Sequence, residues 1–102
     1  MREWVANVEK LVDDKLQKWK KDSRIENGEA VHLRWQFEQS HIIIDIFWKN
    51  HKEHVHFQFI GPRVSNRWEW DGLTEKTFNR IIDRVGNIAQ IVMHPPEDYR
   101  DG

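Results

Sequence analysis

The chain has no cysteine, so it has no disulfide framework, no thiolate metal site and no cysteine nucleophile. It has only five glycines, none of them clustered, which excludes the Gly-rich loops that cradle phosphates. No apolar run approaches the roughly 20 residues of a membrane span. The opening Met1-Arg2-Glu3-Trp4-Val5 lacks the continuous apolar stretch of a secretory signal. A basic excess is missing as well. The 16 Lys and Arg face 17 Asp and Glu, for a net charge of −1, whereas a dedicated nucleic-acid binder usually carries surplus positive charge. These absences fit a cytoplasmic protein that carries no cofactor and meets no membrane.

What remains is one domain's worth of sequence. A chain of 102 residues buries a modest core without needing disulfides or metals. The expected domain runs over residues 1–93, followed by a loose tail over 94–102. Six tryptophans are many for this length. Each brings a large apolar area and an N–H that needs a partner. They fill a two-layer core, or one or two of them line a binding surface.

The pattern along the chain predicts an α+β fold. Residues 3–22 read as an amphipathic helix, with Trp4, Val5, Val8, Leu11, Val12, Leu16 and Trp19 at three- and four-residue steps. Lys18, Lys20 and Lys21 then fall in its last turn, where cations suit the helix dipole. Residues 22–28 read as a loop ending in the Asn27-Gly28 turn signal. From Val31 to Ile60 the sequence alternates with period two, the mark of strands with one buried face. Strands are predicted over 29–38, 41–49, 54–60 and 66–71. Thr74 is a plausible N-cap for a second helix over 75–92, with Phe78, Ile81, Ile82, Val85, Ile88, Ala89 and Val92 as its apolar stripe. The expected architecture is α-β-β-β-β-α, a four-stranded antiparallel meander with two helices packed on one face.

Hairpin geometry makes the faces explicit. A Gln39-Ser40 loop sets Phe37 opposite Ile42, Trp35 opposite Ile44, Leu33 opposite Ile46 and Val31 opposite Trp48. A turn over 50–53 sets Trp48 opposite Val55, Ile46 opposite Phe57 and Ile44 opposite Phe59. The outward rows are then Gln36–Ile43–Ile60, Arg34–Asp45–Gln58 and His32–Phe47–His56. Arg34 and Asp45 become a cross-strand ion pair.

The chemistry on that outward face is sparse. No serine sits in a G-x-S-x-G elbow, and no nucleophile accompanies a His–Asp pair, so the chain does not read as an enzyme. His32 and His56 lie two strand spacings apart, about 9.5 Å, too far for an easily shared zinc ion. What stands out is apolar matter on a face that should be polar: Ile43, Phe47 and Ile60, rimmed by His32, Arg34, Asp45 and His56. Such a patch resembles a protein-interaction surface. The expectation is a small non-catalytic module acting as adaptor, inhibitor or immunity-type protein. Its partner is another protein or a second copy of itself, met through the outer sheet face or an edge strand. The alternative is nucleic-acid binding, with Phe47, His32, His56 and Arg34 as a stacking platform; a small His-dependent or metal-dependent enzyme ranks behind both. The α-β-β-β-α order superficially resembles a double-stranded-RNA-binding domain. That family presents lysines where its last helix begins; here the helix opens Thr74-Glu75-Lys76-Thr77 after a fourth strand, a departure from the pattern.

Overall fold

The computed structural model describes residues 2–94. Of the tail expected over 94–102, all but His94 lies outside them. The elements are α1 (Arg2–Lys15), β1 (Lys20–Asn27), β2 (Ala30–Phe37), β3 (Ser40–Lys49), β4 (Lys52–Ile60), β5 (Ser65–Asp71) and α2 (Glu75–Met93). The strands form one antiparallel sheet in sequence order. The α+β class is as expected, but the sheet has five strands rather than four.

The inner face carries the core. Val31, Leu33 and Trp35 of β2, Ile42, Ile44 and Ile46 of β3, and Val55 and Phe57 of β4 are buried. They pack with Val5, Val8 and Val12 of α1 and Ile81, Val85 and Ile88 of α2. Both helices therefore lie on the same side of the sheet. Thr74 caps α2, its hydroxyl accepting from the Thr77 amide at 3.1 Å.

The first helix is shorter than its periodicity suggests. It stops at Lys15, and residues 16–19 form a turn held by the Leu16 amide donating to the Val12 carbonyl and the Trp19 amide to the Leu16 carbonyl, both at 2.9 Å. Leu16 and Trp19 stay buried through this turn. A tight turn returns its third residue to the same side as a helix does, so the apolar spacing continues after the helix has ended. Leu11, assigned to the buried stripe, is exposed. Lys20 and Lys21 do not cap the helix; they begin β1.

That strand occupies most of the expected loop. Its sequence, KKDSRIEN, has no apolar alternation because its inward side chains are ions. Lys21 reaches Glu9 and Asp13 of α1, and Arg24 Nε donates to Glu9 Oε2 at 2.9 Å. Trp35 Nε1 donates to Asp13 Oδ1 at 2.9 Å, with the Lys21 ammonium 5.5 Å from the Trp35 ring centre. Glu9 is 8% exposed. Burial pushes its carboxyl pKa up, but the hydrogen bonds and charges of Lys21 and Arg24 together outweigh that, and the net shift is downward. The Arg24 guanidinium shifts upward, through its hydrogen bond to Glu9 and then the Glu9 charge.

Both predicted hairpin registers are displaced by two residues. The β2–β3 loop is Glu38-Gln39, so Phe37 pairs with Ser40, Trp35 with Ile42, Leu33 with Ile44 and Val31 with Ile46. The β3–β4 loop is Asn50-His51, so Trp48 pairs with Glu53, Ile46 with Val55, Ile44 with Phe57 and Ile42 with Phe59. Asn50 and His51 both take left-handed backbone, φ 53° and 63°, as two-residue loops require when they match strand twist. A two-residue slip preserves faces, so the same side chains point inward while every row changes. One core assignment within the sheet does fail. Trp48, carried by the new register to the hairpin end, is 45% exposed.

Glu9 sets the acid sensitivity of this fold. A carboxyl whose folded pKa lies below its ordinary 4.5 contributes stability that is complete above 4.5 and disappears as pH falls through the folded value. Glu9→Gln should cost about 1–3 kcal/mol in urea melts at neutral pH. Its deficit relative to wild type should shrink steadily below pH 4.5. A deficit independent of pH would show that the charge is not what matters.

Candidate functional site

The observed register rewrites the outer face. The central row runs Ile25–His32–Asp45–His56–Glu69 across all five strands. On one side lies Asn27–Ala30–Phe47–His54–Asp71, and on the other Ser23–Arg34–Ile43–Gln58–Arg67. All seven sequence-predicted residues, His32, Arg34, Ile43, Asp45, Phe47, His56 and Ile60, lie on this face and are half-buried. The face brings together four of them: His32, Asp45, Phe47 and His56. Ile43 and Ile60 are diagonal rather than opposite, because Ile43 pairs with Gln58 and Ile60 with His41.

The expected Arg34–Asp45 ion pair is not formed. Asp45 sits opposite His32, whose Nδ1 lies 2.5 Å from Asp45 Oδ1. Arg34 instead donates from Nε to Asp22 Oδ1 at 2.9 Å. Asp22 is free to turn outward because the β1–β2 register shifts between Lys21 and Ser23, a bulge that inserts one residue.

Phe47 is the centre of an aromatic group that the sequence registers placed differently. It does not lie between His32 and His56; its cross-strand neighbours are Ala30 and His54. The His54 ring stacks on it at 5.5 Å between centroids, 22° between planes. The His56 ring meets it edge-on, 4.8 Å and 87°. Each imidazole is held from behind. His54 Nδ1 lies 3.0 Å from Asp71 Oδ1, and its Nε2 lies 3.1 Å from the Lys49 carbonyl. His56 Nδ1 is 2.6 Å from Arg67 Nη2, and that guanidinium is 3.0 Å from Glu69.

Beside Phe47 the face is hollowed. A shallow depression of about 390 Å³ is walled by Ile25, Ala30, His32, Asp45, Phe47 and His56. Ala30 makes the floor low, and Ile25, 55% exposed, raises the far wall. Sequence reasoning missed Ile25 because β1 read as a loop. Its one signal was Arg24-Ile25-Glu26 immediately before the Asn27-Gly28 turn, a lone apolar residue at the second position from a hairpin.

Several charges on this face are already engaged, while Lys49 and Lys52 form the exposed row at its hairpin end. Arg34 pairs with Asp22, Arg67 with Glu69, and His32 with Asp45. Among the described residues no group of three or more His, Asp or Glu side chains is placed to hold a metal ion. No described helix is long and apolar enough to cross a membrane. Comparison with protein-family models, with curated proteins and with solved structures returned no significant match.

The new register has an energetic signature. Double-mutant cycles in urea should give a coupling of about 0.2–1 kcal/mol for His32 with Asp45, the range of half-exposed pairs. The Arg34–Asp45 cycle should give none. The reverse assignment would restore the register expected from sequence.

Proposed function

We propose that the protein is a non-catalytic binding module that docks a partner protein on its outer sheet face, around Phe47. The observation that carries this is the placing of Phe47: a phenylalanine on the water side of the central strand, stacked by one histidine, edged by another and opening onto an apolar-walled hollow. Nothing among the described residues calls for that arrangement. The fold's apolar needs are met on the inner face. An aromatic anchor beside a hollow, ringed by hydrogen-bonding side chains, has the layout of an interface centre with a polar rim. An adaptor, inhibitor or immunity-type role suits a small module of this form.

A protein partner is favoured over a nucleic acid by the state of the cations. Phosphate binding draws on Lys and Arg that can exchange counterions for phosphates. Arg34 and Arg67 are committed to carboxylates, and Asp45, Glu69 and Asp71 add negative charge around the patch, which leaves Lys49 and Lys52 at the hairpin end as the cations beside it.

Phe47→Asp tests the reading. Phe47 is outside the core, so the variant should melt within about 1 kcal/mol of wild type. Used as bait beside the wild type, it should lose the proteins that the wild type retains specifically. Retention of the same proteins by a folded Phe47→Asp variant contradicts docking at this face.

A further inference from the structure

The two edges of the sheet are not alike, and the difference points to a second copy of the chain. An exposed edge strand offers unpaired backbone N–H and C=O groups to any extended strand, and folds usually blunt such edges. The β1 edge is blunted twice. It carries a bulge after Lys21, and Lys21 and Arg24 point inward as ions. The β5 edge has neither device. Ser65–Asp71 pairs with β4 in unbroken register, contains no proline, and turns Trp68 and Trp70 inward.

We infer that β5 pairs antiparallel with β5 of a second copy, joining two five-stranded sheets into one across a two-fold axis at Trp68. The register follows from charge. A two-fold axis normal to the sheet sets each residue opposite one on the same face, so it must pass through a residue. An axis at Arg67 sets that arginine against itself, and an axis at Glu69 sets two glutamates together. An axis at Asn66 or Trp70 pairs only three residues at one end of the strand. At Trp68 the whole strand overlaps, and Arg67 of each copy faces Glu69 of the other, twice over, on the outer face. The arrangement that gives the longest ladder is also the one that pairs opposite charges.

The apolar surface beside the strand fits the same occupant. Trp68 forms one wall of a groove of about 360 Å³ between β5 and α2, where Val64 is 45% and Ile91 52% exposed. The Arg84 guanidinium covers the Trp68 ring at 4.3 Å and lines the same groove. The axis brings the two Trp68 residues opposite one another and sets both α2 helices on the same side of the joined sheet. Arg67 and Glu69 also flank His56 on the outer face, but Phe47 itself lies two strands away on β3, so Phe47→Asp separates this inference from the docking proposal.

Sedimentation velocity from micromolar to millimolar concentration tests it, on wild type, Arg67→Glu, Glu69→Arg and the double exchange. Wild type should dimerise. Each single reversal sets like charges opposite at two symmetric places and should weaken the dimer about tenfold or more, while the double exchange restores it. Phe47→Asp should dimerise as wild type does. Amide exchange supplies a readout that does not depend on any variant: β5 amides should slow as wild-type concentration rises, and β1 amides should not. A wild type that stays monomeric at millimolar concentration overturns the inference. So does a dimer indifferent to both reversals, one dissolved by Phe47→Asp, or one that protects β1 instead.

Discussion

The structure depends on one imbalance: a five-stranded sheet has two faces, and the described helices cover only one. The inner face receives nearly all the large apolar residues, and burial at about 25 cal/mol per Å² makes it the main source of stability. The two helices reach it by different means. On the β4–β5 side, α2 uses its apolar stripe and a guanidinium laid over Trp68. On the β1–β2 side, α1 is fastened by Glu9 and Asp13 to Lys21, Arg24 and the Trp35 indole. Glu9 is the buried member of that group, so removing Lys21 or Arg24 would strip a partner from a buried carboxylate, which is costlier than the loss of an exposed contact.

No described element covers the outer face, and its side chains pair across strands. Asp22 with Arg34, His32 with Asp45, Arg67 with Glu69 and His54 with Asp71 satisfy one another. Such half-exposed pairs contribute little individually. Their larger consequence is that they fix the rings around Phe47. A hollow whose walls are already held needs less ordering when a partner arrives, which is the advantage of a preorganised surface.

Period-two patterning made the faces of this sheet legible and left the rows illegible. Alternation reports only whether a residue is odd or even, and a slip of two residues leaves that unchanged. Hence Ile42, Ile44, Ile46, Val55 and Phe57 were placed in the core correctly, while Asp45 was matched to Arg34 instead of His32. What decides the row is loop backbone, and Asn50-His51 adopts its left-handed turn without a glycine to announce it. The strand β1 was invisible for a different reason. Its inward positions are Lys21 and Arg24, whose partners on α1 are distant in sequence, so no local pattern marks them. His32, Asp45 and His56 were named from sequence because they share the face of Phe47; His54 was not, because the sequence register set His56 opposite Phe47, and Ile25 was not, because its strand was not seen.

The openness of the Phe47 face is the central claim, and solvent relaxation measures it without a partner. A soluble gadolinium chelate added to dilute monomer should strongly broaden the ring resonances of Phe47, His32 and His54. It should leave those of Phe57 and Trp35 on the inner face nearly untouched. Phe47 resonances as well protected as those of Phe57 would mean that the face is covered in the free protein, and the account of it as a docking surface would be wrong.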